Sequence, residues 1–152
     1  MTEIAWDYHS FPTFMLQDLY AVLRLRQSVF IVEQQSIYPD IDGYDDRAMH
    51  LIGRIGGEVV AYARVFPPGV KYAEYAIGRV AVAASARNRG LGRAVMTEAM
   101  SRIFDIDRDA SIRIQAQAHL TDSFYRPLGF ACVGPPYDED GILHVDMVKG
   151  LR

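Results

Sequence analysis

Seven residues, Arg87-Asn88-Arg89-Gly90-Leu91-Gly92-Arg93, put three guanidinium groups and two glycines into one short stretch. A strand-like run, Val80-Ala81-Val82, precedes them, and a helix-like run opens at Leu91. The first turn of a helix leaves about four backbone N–H groups without partners. Those groups carry partial positive charge and suit an anion. Gly90 and Gly92 let a phosphate approach the backbone closely. Arg87, Arg89 and Arg93 add full charges, and a guanidinium can grip phosphate with two hydrogen bonds. The stretch therefore reads as a diphosphate site. It carries neither the G-x-x-x-x-G-K-[ST] nor the G-x-G-x-x-G pattern, so mononucleotide P-loops and dinucleotide folds are disfavoured.

The flanking elements have to hold that stretch in place. Leu91 to Phe104 puts Leu91, Val95, Met96, Ala99, Met100 and Ile103 on one helical face. Ala73 to Val82 is strand-like. His50 to Ile55 and Glu58 to Phe66 flank Gly56-Gly57, a two-residue hairpin signal. Upstream, Glu3 to Tyr8 reads as a short first strand. Leu16, Leu19, Tyr20, Leu23, Val29 and Phe30 mark the buried stripe of a helix. Pro39 to Arg47, with four aspartates, reads as a loop. Downstream come a strand at Ile112 to Ala118, a short helix with Phe124, Tyr125 and Leu128, and strands at Phe130 to Val133 and Ile142 to Val148. Gly129 suits the left-handed end of that short helix. The order predicts one α+β (mixed α/β) domain over residues 1–152, built in layers.

Composition narrows the function. A chain of 152 residues, half hydrophobic and 23% charged, fits a single folded domain. The formal charge of −3 argues against nucleic acid as a partner. The N-terminus lacks the basic-then-apolar pattern of a signal peptide, and no apolar run reaches the ~18 residues of a membrane helix. No membrane partner and a cytoplasmic location are the expectation. Cys132 is the only cysteine. Its flanks predict a small buried hydrophobe rather than a nucleophile.

Val80-x-Val82 followed by Arg87-x-x-Gly90-x-Gly92 resembles the acyl-CoA-binding motif of the GNAT superfamily of N-acetyltransferases. Phe124-Tyr125-x-x-x-Gly129-Phe130 resembles the superfamily's later tyrosine segment. Nearly the whole chain is similar to the ElaA-like branch. The matching pieces include Leu25-Arg26-x-x-Val29-Phe30-x-Val32-Glu33-Gln34, Asp40-Ile41-Asp42-Gly43 and Ala61-Tyr62-Ala63-Arg64. Ile77-Gly78-Arg79-Val80, Ala116-Gln117-Ala118-His119-Leu120 and Tyr137-x-Glu139-Asp140-Gly141-Ile142-x-His144 complete them.

The resemblance implies a GNAT-type acyl-CoA N-acyltransferase fold. Its sheet would be central, splayed and mixed, with about six to seven strands and about four flanking helices. It implies acetyl-CoA as cosubstrate and direct transfer to the primary amine of a small molecule or peptide. Val80, Ala81 and Val82 would pair with pantetheine, and the Val80 N–H would hold the thioester oxygen. Arg87, Asn88, Arg89, Gly90, Leu91, Gly92 and Arg93 would bind the diphosphate. Tyr125 would protonate the leaving thiolate. Two departures stand out. Pro127 falls inside the short helix, and one residue more than the resemblance suggests separates His119 from Phe124.

The base that deprotonates the amine is open. Some members carry a glutamate four residues before the oxyanion donor, where this chain has Ala76; Glu74 lies two residues earlier. Glu33 and His119 lead the candidates, with Glu74, His50 and His144 behind them. On the acceptor side, Arg26, Asp42, Asp45 and Arg64 look like the electrostatic cluster of acyl-homoserine-lactone synthases, which share the fold. They read as a surface ion-pair network ordering the Asp40–Asp46 loop. Glu33, Asp42 and Asp45 would draw a cationic amine. The aspartate spacing is not that of an EF-hand, so no metal is expected. The apolar late strands and Pro135-Pro136 are compatible with a homodimer. An acyl-homoserine-lactone-synthase-like acyltransferase and a non-catalytic CoA-binding module are the alternative functions.

Overall fold

The computed structural model describes residues 3–150. Eight strands form one sheet: β1 (Ala5–Ser10), β2 (Met49–Ile55), β3 (Glu58–Phe66), β4 (Tyr75–Val82), β5 (Ile112–Gln117), β6 (Ala131–Cys132), β7 (Tyr137–Glu139) and β8 (Ile142–Lys149). Their order is β1-β2-β3-β4-β5-β8-β6, with β7 also pairing β8. The β2–β3 hairpin turns through Gly56 and Gly57, both at positive φ (58° and 84°), as a tight primed turn requires.

Two helices cover the sheet: α1 (Leu16–Arg26) and α2 (Leu91–Ile106). Helix α2 buries Val95, Met96, Ala99 and Ile103 against Ala61, Ala63, Ile112, Ile114 and Met147. These are the face expected from its 3.6-residue spacing. Helix α1 differs from expectation. Its buried residues are Val22, Leu25 and Arg26, whereas Leu16 is 82% and Tyr20 73% exposed. The expected stripe is therefore split: Leu16 and Tyr20 face out, Leu19, Leu23 and Phe30 are half-buried, and Val29 is buried. A π-helical stretch, Gln27–Glu33, continues it and buries Val29. Cys132 also differs: it is exposed. It sits on a two-residue edge strand, and the neighbouring Phe130 fills the core instead.

Two local features open the sheet. Strands β4 and β5 run parallel and share only two register pairs, Tyr75↔Ile112 and Ala76↔Arg113. Beyond them the strands diverge. Strand β4 also carries a β-bulge: Arg64 faces Gly78 and Tyr62 faces Ala81. One residue on β3, Ala63, thus opposes two on β4, Arg79 and Val80. A bulge bends its strand and ends regular pairing. Arg79 adopts φ 52°, a left-handed conformation unusual for a residue other than glycine. Asp40 holds it there, accepting a 2.6 Å hydrogen bond from its Nε.

Candidate active site

A cleft of about 850 Å³ fills the gap between β4 and β5. Val80, Val82, Gly92, Met96, Phe124 and Tyr125 line one end. Arg79 and Val80 have no register partner on either β3 or β5. The bulge therefore takes Val80 out of the regular register beside the cleft. Ala81 is buried with Val22, Leu25 and Val29 and is not among the residues that line the cleft.

At the start of α2, no side chain caps the helix, and Gly90 takes φ 72°. Asn88 is also left-handed, at φ 65°. Left-handed residues in a turn aim successive N–H groups into one concavity, which suits an anion. The first helical bond runs from Ala94 N–H to Gly90 O at 3.1 Å, so the amides of Leu91, Gly92 and Arg93 precede the helical ladder. Arg89 and Arg93 are exposed. Arg87 is turned aside: its Nη2 donates to Glu33 at 2.6 Å and to Val82 O at 3.1 Å.

Tyr125 stands on irregular backbone. A π-helical turn, Thr121–Tyr125, is followed by a 3₁₀ turn, Arg126–Leu128, that ends at left-handed Gly129. A π turn accommodates one additional residue, which explains the extra spacing after His119. Pro127 falls early in the 3₁₀ turn, where its missing N–H costs little. The ring packs edge-on against Phe124 (4.9 Å) and Phe130 (6.2 Å). Burial pushes the phenol up to about 12, so it stays protonated at neutral pH.

The base candidates separate by position. Glu33 pairs with Arg87 through both carboxylate oxygens and is not among the cleft-lining residues. The Arg87 hydrogen bonds hold its carboxyl below the usual range. His119 is exposed and also outside the lining. Glu74 lies outside it too, 3.7 Å from Arg113. His50 is buried, with Nε2 on Asp45 O at 2.8 Å and Nδ1 on Tyr62 Oη at 2.5 Å. His144 lines the cleft. Its Nδ1 lies 2.8 Å from the Ile142 carbonyl. A carbonyl only accepts, so Nδ1 carries a proton, and in the neutral ring Nε2 keeps the lone pair.

The acceptor-side cluster is not a surface network. Arg26 is 1% and Arg64 3% exposed. Arg26 bonds Asp40 (3.0 Å) and Asp45 (2.9 Å). Arg64 bonds both oxygens of Asp42 (2.8 and 2.9 Å) and Asp45 (2.9 Å). Burial pushes the Asp42 and Asp45 carboxyls up, but the guanidinium hydrogen bonds and charges outweigh it and hold both below the usual range. These carboxylates are thus answered within the cluster. Two members escaped the sequence reading: Asp40 and Arg79. Asp40 was hidden among four loop aspartates, and no residue-type signal marks Arg79 as left-handed.

Splayed strands, a central bulge and an uncapped helix start define the acyl-CoA acyltransferase class. The family model of the GNAT acetyltransferase domain matches residues 20–151. A UPF0039 protein of Synechocystis is 39% identical over 147 residues, covering 96% of this chain and 95% of the relative. An acyl-CoA N-acyltransferase from Pseudomonas aeruginosa superposes with TM-score 0.91 at 34% identity, covering 97% of this chain and all of its own. Escherichia coli ElaA is 36% identical in sequence over 96% of each chain. Its crystal structure superposes with TM-score 0.88, over 97% of this chain and 99% of its own. The chain belongs to the GNAT acetyltransferase family, in the branch that holds ElaA and the UPF0039 proteins. Among the described residues, no helix is long and apolar enough to cross a membrane.

Proposed function

We propose that the protein moves an acetyl group from acetyl-CoA directly to a primary amine. The observation that carries this reading is the pair formed by unregistered Val80 and half-buried Tyr125 on the lining of one cleft. Acetyl-CoA supplies the activated acetyl group. The turn at 88–93, with Arg89 and Arg93, holds its diphosphate, and the backbone of Val80–Val82 pairs with its pantetheine arm. The Val80 N–H donates to the carbonyl oxygen, where negative charge builds as the amine adds. Tyr125 donates its proton to the departing sulfur. His144 Nε2 takes the proton that the amine must lose; the free lone pair on the cleft wall favours it over Glu33 and His119. The new bond is N–C, the broken bond is C–S, and no enzyme nucleophile intervenes.

Titration with acetyl-CoA, followed by thiol release across an amine panel, tests this reading. The expected result is binding at micromolar to millimolar ligand and amine-dependent thiol release. Binding without release from any amine contradicts transfer and leaves a CoA-binding module.

A further inference from the structure

The cleft is lined by residues of both charges. Lys71, Arg64 and Arg79 are among them. With Arg26, they lie within ion-pair distance of three carboxylates among the described residues, those of Asp40, Asp42 and Asp45. Four cations against three anions leave a positive surplus. Lys71 carries it: its Nζ is 3.8 Å from Asp42 Oδ2, which already accepts from Arg64 at 2.9 Å. The ammonium rests 3.7 Å from the centre of the Tyr44 ring and is 30% exposed. The donor surplus also appears deeper. Among the described residues, Arg64 Nε is the one buried side-chain nitrogen or oxygen with no hydrogen-bond partner.

The lining also carries Glu139, Asp140 and His144, from β7, the turn after it and β8. Arg113 also lines the cleft, but Asp146 accepts two hydrogen bonds from it, at 2.9 and 2.7 Å. The free charge among these residues is therefore negative, next to a histidine with an open lone pair.

We propose that the acceptor is zwitterionic, an amino acid or a small molecule bearing both a primary amine and a carboxylate. Its carboxylate sits on Lys71 beside Arg64 and Arg79, and its amine points toward His144. This rests on the transfer reading above and names its substrate class. It reverses the expectation of a purely cationic amine, because Asp42 and Asp45 are neutralised by guanidinium groups.

The test is the initial rate of thiol release at saturating acetyl-CoA with matched acid and amide pairs. Suitable pairs are glycine and glycinamide, β-alanine and its amide, and 4-aminobutyrate and its amide, with spermidine as a purely cationic control. The best acid should exceed its amide in kcat/KM by about tenfold or more, the scale of a hydrogen bond to a charged group. Lys71→Met should erase that ratio through KM, with kcat and acetyl-CoA affinity little changed. Lys71→Arg should restore it. Amides or spermidine reacting as fast as the acids would overturn the substrate class and leave the transferase intact. So would an unchanged ratio in Lys71→Met. Failure of acetyl-CoA to bind, or of every amine to react, would overturn the transfer reading and this inference with it.

Discussion

Glu33 closes both carboxylate oxygens on the guanidinium of Arg87, and the same guanidinium donates to the Val82 carbonyl. The pair ties the π-helical stretch after α1 to the strand end beside the expected diphosphate turn. It occupies a guanidinium that phosphate would otherwise attract. Glu33→Gln should therefore tighten acetyl-CoA binding about twofold to fivefold, the range of an exposed ion pair. Turnover should change little. Titration and steady-state rates check both. A collapse of kcat with unchanged affinity would instead place Glu33 in proton transfer.

In the transfer proposed above, Tyr125 acts on the leaving sulfur and not on cofactor binding. Tyr125→Phe should lower kcat on the order of 10²-fold, the lower range for a lost general acid. Acetyl-CoA affinity should stay within about twofold, because the ring contacts survive. The phenol sits at about 12, so native turnover should show no loss from tyrosine ionisation up to pH 10. Full activity in the variant refutes the acid role.

Arg79 sits at φ 52° in the β4 bulge. Arg79→Gly and Arg79→Val both lose the bond to Asp40, but only glycine takes this conformation freely. Urea unfolding should find the valine variant less stable than the glycine variant by about 1–2 kcal/mol, the cost of a left-handed L-residue. Equal stability would mean that the backbone there relaxes.

His50 should make stability fall in mild acid. The neutral ring serves both contacts: Nε2–H donates to the Asp45 carbonyl, and Nδ1 can accept from the Tyr62 hydroxyl. Burial holds its pKa below the ordinary value. The unfolded chain thus binds the proton more readily, and stability present above about pH 6.5 is lost as pH falls toward the folded pKa. Asp42 and Asp45, held low by Arg64 and Arg26, add a second loss below about pH 4. His50→Gln should lower stability at pH 7 and flatten the decline between pH 7 and 5. Denaturant midpoints across that range decide it.

The elements with strong periodicity were legible in the sequence. Helix α2 and the Gly56-Gly57 hairpin follow from spacing and turn chemistry alone. The turn between β4 and α2 was legible because Gly90 stands between a strand-like run and the 3.6-residue spacing that opens at Leu91. Helix α1 was misread because a buried arginine takes the inward position that hydrophobicity assigns to leucine. The charged cluster looked like surface because its members lie far apart in sequence; only folding brings Arg26 and Arg64 onto Asp45. The π turn before Tyr125 was visible only as one surplus residue. His144 could not be ranked above Glu33, since the carbonyl that sets its tautomer is a backbone group.

The most direct measurement is a crystal structure of the protein with CoA bound. The diphosphate should lie on the amides of Leu91, Gly92 and Arg93, with the sulfur within hydrogen-bond reach of the Tyr125 hydroxyl. Gly92→Trp, which sets an indole against Phe124 at 3.7 Å from the Cβ position, should abolish that complex. A CoA molecule seated away from this turn, or a sulfur remote from Tyr125, contradicts the account.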